Sequence, residues 1–510
     1  MKRWAVRLRS LALLGTLGVV AGAALVGAQP QPEPAHASVS TFQNPVSFKE
    51  SGDPQIFHAS DGNYYMAWPD NNKLYLYKSA SLVDIMRGQM TLAWTAPTGC
   101  SGNSCPSQDI WAPEIYNLNG NWYLYFTASD GNGGYHRNYV LENTSSDPTA
   151  GSWTLKGKLA DPNADYWTED PSILNLNGSL YFLWSGTDGD TGTSWPGGTT
   201  AGGLYIASMS NPYTLSSART KVSSPSSDEA NVNEAPAAIV HGSKVFVAYS
   251  AGTFTSGGYH LGYLSASTSA NLLSASSWTK TENVFMSTSD TFGPGSNGFT
   301  TSPDGTQDWI VYGARDRDPA TYGSGASNYR SLRMQQLTWD GSGNPVFGTP
   351  AATTSALAVP SGDAGNIISG APIGKTIFLR SLSNYNAVST RTDQTNGPVD
   401  AMATVASDWE KYQVVDAGGG QIALKSQNNG SYVSAWQSDA NTPLETRGAT
   451  SIGAWEKFTW VRNADETISL MASNGSYVSA WASDTNAPLE ARGATSINTW
   501  EKFGWGTIVP

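Results

Sequence analysis

A proline that opens an apolar strand recurs at positions 54, 113, 171 and 236, separated by 59, 58 and 65 residues, and Gly298 takes the same place 62 residues later. Each copy continues through a tight polar turn into a second strand rich in aromatics. Asp53-Pro54-Gln55-Ile56-Phe57 leads to Asn63-Tyr64-Tyr65-Met66-Ala67-Trp68, and Trp111-Ala112-Pro113-Glu114-Ile115 leads to Asn121-Trp122-Tyr123-Leu124-Tyr125-Phe126. Asp170-Pro171 and Glu234-Ala235-Pro236 open the third and fourth copies, and Ser296-Asn297-Gly298-Phe299 a fifth, weaker one. A unit of this length suits one antiparallel four-stranded sheet, which cannot bury both faces alone. Five such units closing on themselves predict an all-β, five-bladed β-propeller, an architecture that protects sheet edges by radial repetition.

In such a propeller the innermost strand of each blade lines the axis, so the residue that opens it projects into the central cavity. Asp53, Asp170 and Glu234 are expected at one common phase of three different repeats, and so to converge. A carboxylate at the mouth of a buried strand is costly to desolvate unless it is paired or used. Asp before Pro is an ordinary turn residue, but turn chemistry does not ask for Glu. Inverting glycoside hydrolysis does ask for such a set. One carboxylate deprotonates a water on one face of the sugar, and a protonated carboxyl about 6.5–9.5 Å away gives its proton to the leaving oxygen. A third acid raises the donor's proton affinity.

At these residues the chain resembles glycoside hydrolase family 43, five-bladed propellers that cleave arabinofuranosides, xylosides and related linkages with inversion. The resemblance runs from about Phe42 to Thr349. It rests on Asp109-Ile110-Trp111-Ala112-Pro113-Glu114-Ile115, Val232-Asn233-Glu234-Ala235-Pro236, Phe292-Gly293-Pro294-Gly295 and Asp308-Trp309-Ile310-Val311-Tyr312. Within the family the chain looks most like the exo-acting α-L-arabinofuranosidase branch. That resemblance implies Asp53 as general base, Glu234 as general acid and Asp170 as the acid that orients and modulates the donor. It also implies an arginine against the sugar, for which Arg333 is the candidate. Trp111 is a candidate wall of the sugar subsite, and His136, with Arg137 in the loop after the second repeat, a candidate for an outer subsite; Glu114 is expected to be structural. Where relatives carry histidines near the axis, this chain has Ser296 and Gly313, which leaves a central metal open. The alternatives are a β-xylosidase or galactan-active relative, and a sugar-binding propeller without catalysis.

Past a stretch at 356–371 that reads as a linker, a second repeat begins. Trp409-Glu410-Lys411, Trp455-Glu456-Lys457 and Trp500-Glu501-Lys502 are spaced 46 and 45 residues apart. Three units of that length predict a β-trefoil over 372–508, and they resemble the fascin-like trefoils appended to bacterial polysaccharide hydrolases. The three Trp-Glu-Lys tryptophans are expected in the core. Trp436 and Trp481 are candidate sugar platforms, because the first copy carries Thr390 at the matching place.

The net charge of −12, with no basic run, excludes nucleic acid and anionic membrane as natural partners and leaves a neutral oligosaccharide or polysaccharide. Residues 1–37 read as a secretory signal: Lys2, Arg3, Arg7 and Arg9, then the apolar Leu11 to Val26, then Ala35-His36-Ala37. The propeller is thus expected over 38–355 of a secreted chain, and the two cysteines, Cys100 and Cys105, as a local disulfide. No cofactor is expected, and a monomer is the default.

Overall fold

The five repeats each fold into one antiparallel sheet (blades 1 to 5). The structure is a computed structural model describing residues 36–38, 40–47, 51–161, 163–189, 202–322, 330–363, 366–368, 370–404 and 406–508. The expected export signal therefore lies almost wholly outside the described residues. Blade 1 comprises Ile56–His58, Tyr64–Asp70, Lys73–Ser79 and Gln89–Thr95; blade 2 comprises Gln108–Leu118, Asn121–Ser129, Arg137–Asn143 and Thr154–Leu159. Blade 3 is built on Thr168–Leu176, Ser179–Gly186 and Gly203–Asn211, with Thr214–Leu215 and Thr220–Ser223 at its edge. Asn233–His241, Lys244–Ala251, His260–Ser267 and Thr279–Phe285 form blade 4, and Phe292–Thr301, Asp308–Arg315, Ser331–Trp339 and Pro345–Val346 form blade 5.

Strand alternation explains how the blades pack. Successive side chains point to opposite faces, so Tyr64 and Met66 of blade 1 meet Trp309 and Val311 of blade 5, while Tyr65 and Ala67 meet Ile115 and Leu124 of blade 2. Three further apolar clusters fill the gaps between blades 2 and 3, 3 and 4, and 4 and 5. The ring closes where the N-terminal segment docks on blade 5. Asn44 donates to the Met334 carbonyl at 2.8 Å and accepts from its N–H at 3.0 Å, and the Val46 N–H donates to the Leu332 carbonyl at 3.0 Å.

The stretch expected as a linker is not a free spacer. Leu357–Ala358 pairs with Thr41–Phe42, and Leu357 and Val359 pack on the cluster that contains Phe42. Its alternating apolar residues give it a face to bury, which a solvated linker lacks.

Residues from Thr376 to Thr507 form a β-trefoil. Six strands close into a barrel in which Thr376–Ser381 pairs with Tyr412–Gly418 on one side and with the last strand, Phe503–Thr507, on the other. Aliphatic side chains with Tyr412, Phe458 and Phe503 fill its core. The Trp-Glu-Lys tryptophans are not in that core: Trp409, Trp455 and Trp500 are only half-buried, and the glutamates beside them are the buried residues. Glu410, Glu456 and Glu501 accept from the Ser389, Ser434 and Ser479 hydroxyls at 2.5, 2.5 and 2.6 Å, and each also caps its own turn. These threefold bonds set the register of the copies. The residue matching Trp436 and Trp481 in the first copy is therefore Arg391, not Thr390.

The trefoil is docked on blade 1. Arg87 is buried with Asp84 at 3.1 Å and Glu466 at 3.3 Å, donates to the Glu466 carbonyl at 3.1 Å, and lies over the Trp505 ring. Tyr77 donates to the Thr507 carbonyl at 2.9 Å. Among the described residues no helix is long and apolar enough to cross a membrane.

Candidate active site

Four inner strands carry the same irregularity. Ala112, Asp170, Ala235 and Ser296 adopt left-handed backbone angles, with φ of 42°, 51°, 50° and 48°. Each sits in a break of register, between Trp111 and Glu114, Glu169 and Ser172, Glu234 and Ala237, and Gly295 and Gly298. A bulge of this kind re-aims side chains that would otherwise alternate. Two consecutive residues, Glu169 and Asp170, consequently line the same cavity. The expected common phase is corrected by the same observation: Glu234 is in phase with Glu169 and Trp111, one residue ahead of the phase that Asp170 shares with Ala235.

That cavity, about 320 Å³, is lined by Asp53, Trp111, Glu169, Asp170, Glu234, Phe254, Ser296 and Arg330. Asp170 accepts from the Ala235 N–H at 2.9 Å and from the Ser185 hydroxyl at 3.3 Å, which ties blade 3 to blade 4. Glu234 accepts from the Tyr259 hydroxyl at 2.6 Å, and Tyr259 also meets Ser296 Oγ at 2.9 Å. Gly295 makes room for that tyrosine, since a Cβ there would overlap its ring at 2.1 Å. Arg330 reaches Asp53 and Ser296 Oγ, both at 3.2 Å, with its guanidinium over Phe254. Burial, then the neighbouring Glu234 and Asp53, holds Asp170 well above the usual carboxylate range. Glu169 is raised likewise, by burial and then by Asp170, Glu234 and Asp53; it is 8% exposed, and its Oε1 has no hydrogen-bond partner.

The arginine in this cavity is Arg330, not Arg333. Arg333 is fully buried on the far side of its strand, where it pairs with Asp316 and donates to Thr291 Oγ1 at 3.1 Å. Arg330 opens the third strand of blade 5 and not an innermost one, so the rule that selected the acids does not reach it. His136 is also displaced from its expected place. It is buried behind Trp111, stacked on that ring at 4.0 Å, and burial lowers its proton affinity. Arg137 is buried too, bonded to Asp165 at 2.7 Å. Trp111 itself reaches the cavity, 38% exposed.

Below the acids lies a void of about 20 Å³ lined by Gln55, Glu114, Ser296 and Asn297 among others. Burial pushes the Glu114 carboxyl up to about 8, Gln55 is spent on the backbone of Ile115, and both amide atoms of Asn297 lack a protein partner. This donor set does not fit a metal ion. It fits one buried water, for which the void has room. A histidine at 313 is excluded as well, because a Cβ there would stand 2.7 Å from the Gly52 carbonyl oxygen. Among the described residues no group of three or more His, Cys, Asp or Glu is arranged to hold a metal.

Cys100 and Cys105 are bonded to each other, with their Cα atoms 5.6 Å apart. In the trefoil, Arg447 lies 4.0 Å over Trp436 and Arg492 lies 3.6 Å over Trp481. Trp455 and Trp500 pack edge-on against the same two rings, whose indole N–H groups are buried without a partner.

Comparison with known proteins agrees with this geometry. The chain is 37% identical over 337 residues to an extracellular exo-α-(1→5)-L-arabinofuranosidase of Streptomyces avermitilis, a match covering 62% of this chain and 66% of that protein, just under two thirds of its length. It is 31% identical to an enzyme of the same name from Streptomyces chartreusis, covering 60% of this chain and 90% of the relative. The solved structure of an α-L-arabinofuranosidase from Lactobacillus brevis superimposes with a TM-score of 0.55 at 31% identity, covering 62% of this chain and 98% of that one. Residues 42–345 match the glycosyl hydrolases family 43 as a whole, and the chain belongs to that family.

Proposed function

We propose that this glycoside hydrolase is a secreted, inverting, exo-acting α-L-arabinofuranosidase that releases arabinose from arabinan or arabinoxylan. The observation that carries this reading is the meeting of Asp53, Asp170 and Glu234, from blades 1, 3 and 4, in one cavity. Asp53, oriented by Arg330, acts as general base on a water. Glu234, its rotamer fixed by Tyr259, acts as general acid on the glycosidic oxygen. Burial and mutual repulsion raise the proton affinities of Asp170 and Glu169 above the ordinary carboxylate range, and a carboxyl such as Asp170 beside Glu234 favours the donor's protonated form. Glu169, whose Oε1 has no hydrogen-bond partner in the protein, is placed in the cavity to bond a sugar hydroxyl. The names of the two Streptomyces relatives support the arabinose reading and an extracellular location.

Incubation with arabinan, arabinoxylan, xylan and galactan tests it. Arabinose should be released singly from the first two, first as the β anomer by NMR. Release of xylose or galactose instead, or the α anomer first, would sink the corresponding part of the reading.

The trefoil holds the enzyme on polymer, with Trp436 and Trp481 as platforms. Because a guanidinium already covers one face of each ring, a sugar stacks on the other face or displaces it. Trp436→Ala with Trp481→Ala should cut retention on insoluble arabinan roughly tenfold while leaving turnover of a soluble aryl arabinofuranoside unchanged. Unchanged retention would remove the trefoil from substrate binding.

A further inference from the structure

Beside the catalytic cavity, and sharing Trp111 with it, lies a groove of about 650 Å³ between the edges of blades 1 and 2. Its walls include Asn71, Asn72, Thr98, Gln108 and Asp130. Among the described residues no Lys, Arg or His lines it; amides, hydroxyls and carboxylates do, which is the chemistry of a neutral polyhydroxylated ligand. The outer wall is fixed in advance of binding. The Cys100–Cys105 disulfide closes its loop, and the Gly102 N–H donates to Asp130 Oδ2 at 2.6 Å. Asp109, with a left-handed φ of 52°, is held there by the Ser129 hydroxyl at 2.5 Å. A wall ordered beforehand spares the ligand that cost on binding.

Trp111 is the hinge of the geometry. His136 covers one face of its ring at 4.0 Å, yet the residue remains 38% exposed, and its open side borders both cavities. An indole in that position offers an apolar platform on which a pentose ring can stack.

We infer that this groove is the binding site for the leaving-group side of the substrate: the two or more sugar units that follow the residue being cleaved run from Trp111 along the disulfide-walled loop. The inference rests on the reading that the adjoining cavity is where the glycosidic bond is cut. It gives the disulfide a role in substrate selection, since the wall it braces meets the polymer and not the sugar released.

The test separates the groove from the choice of sugar. Mono- and trisaccharides of the arabino, xylo and galacto series are titrated calorimetrically into the Glu234→Gln chain. One trisaccharide series should bind about tenfold tighter than its monosaccharide, and Asn72→Ala with Gln108→Ala, both surface changes that leave the melting temperature in place, should erase that difference. Equal affinity for mono- and trisaccharide in every series overturns the groove, as does a trisaccharide affinity indifferent to the double substitution. A clear preference for the xylo or galacto series, erased by the same substitutions, upholds the groove and overturns the arabinose assignment instead.

Discussion

Glu234→Gln lowers kcat on arabino-oligosaccharides by about 10²- to 10⁴-fold, the range spanned by a positioned proton donor, while far less is lost on an aryl arabinofuranoside whose leaving group departs without protonation. Asp53→Asn loses activity on both substrates alike, because the attacking water must be deprotonated whatever the leaving group. The contrast between the two substitutions is the diagnostic, and near wild-type turnover in either variant would remove the roles proposed for this pair. Circular dichroism and melting curves should match those of the parent, since each amide keeps the size of the acid and an oxygen to accept from its partner, Arg330 or Tyr259. The pH profile supplies a second handle. The donor must be protonated, so activity falls as pH rises through the proton affinity of the cluster. Asp170→Asn takes one repelling neighbour away from Glu234 and Glu169, so the alkaline limb should move to lower pH. An alkaline limb that stays in place would show that Asp170 does not modulate the donor.

The largest effect on stability is expected at Arg87. Its side chain is 2% exposed, and its partners Asp84 and Glu466 are 3% and 5% exposed. Arg87→Ala takes one buried guanidinium from both carboxylates at once, leaving Arg462, at 2.6 Å, as the partner of Glu466. Breaking a buried pair in this way costs about 3–5 kcal/mol. Denaturant titration should show that loss. The same substitution made together with Asp84→Asn and Glu466→Gln should cost less, because the charges it compensated are gone. A loss below about 1 kcal/mol for Arg87→Ala alone would mean that the ion pairs do not hold the two domains together.

The repeat spacing carried the fold because four of the five blades have a proline at the start of the inner strand, which in blades 2 to 4 sits in the bulge where no ladder N–H is needed. Asp53 and Asp170 stood out for the same reason, each lying directly before its proline. Glu234 was found but given the wrong phase. The bulge that matters there places Ala112 and Ala235 at positive φ, and alanine gives no sign of a left-handed residue as glycine or asparagine would. Aligning the copies on their prolines would have set Glu169 opposite Glu234 and Trp111, and so exposed the fourth acid. Arg333 was preferred to Arg330 because neither lies on an innermost strand: they open the third strand of blade 5, which the repeat phase does not place against the axis. The half-buried tryptophans of the trefoil were misread as core because regular recurrence marks a structural role without telling the tryptophan from the glutamate beside it.

The dock between blade 1 and the trefoil changes how this protein can be taken apart. Removing residues beyond 372 would not release a self-sufficient propeller. It would uncover Arg87 and Asp84 where they are now sealed against Glu466 and Trp505, and strip the Tyr77 hydroxyl of the Thr507 carbonyl. A truncated chain that clung less well to polysaccharide would therefore report damage to its fold as readily as the loss of a binding surface, and point substitutions on the intact chain are the only clean way to tell the two apart.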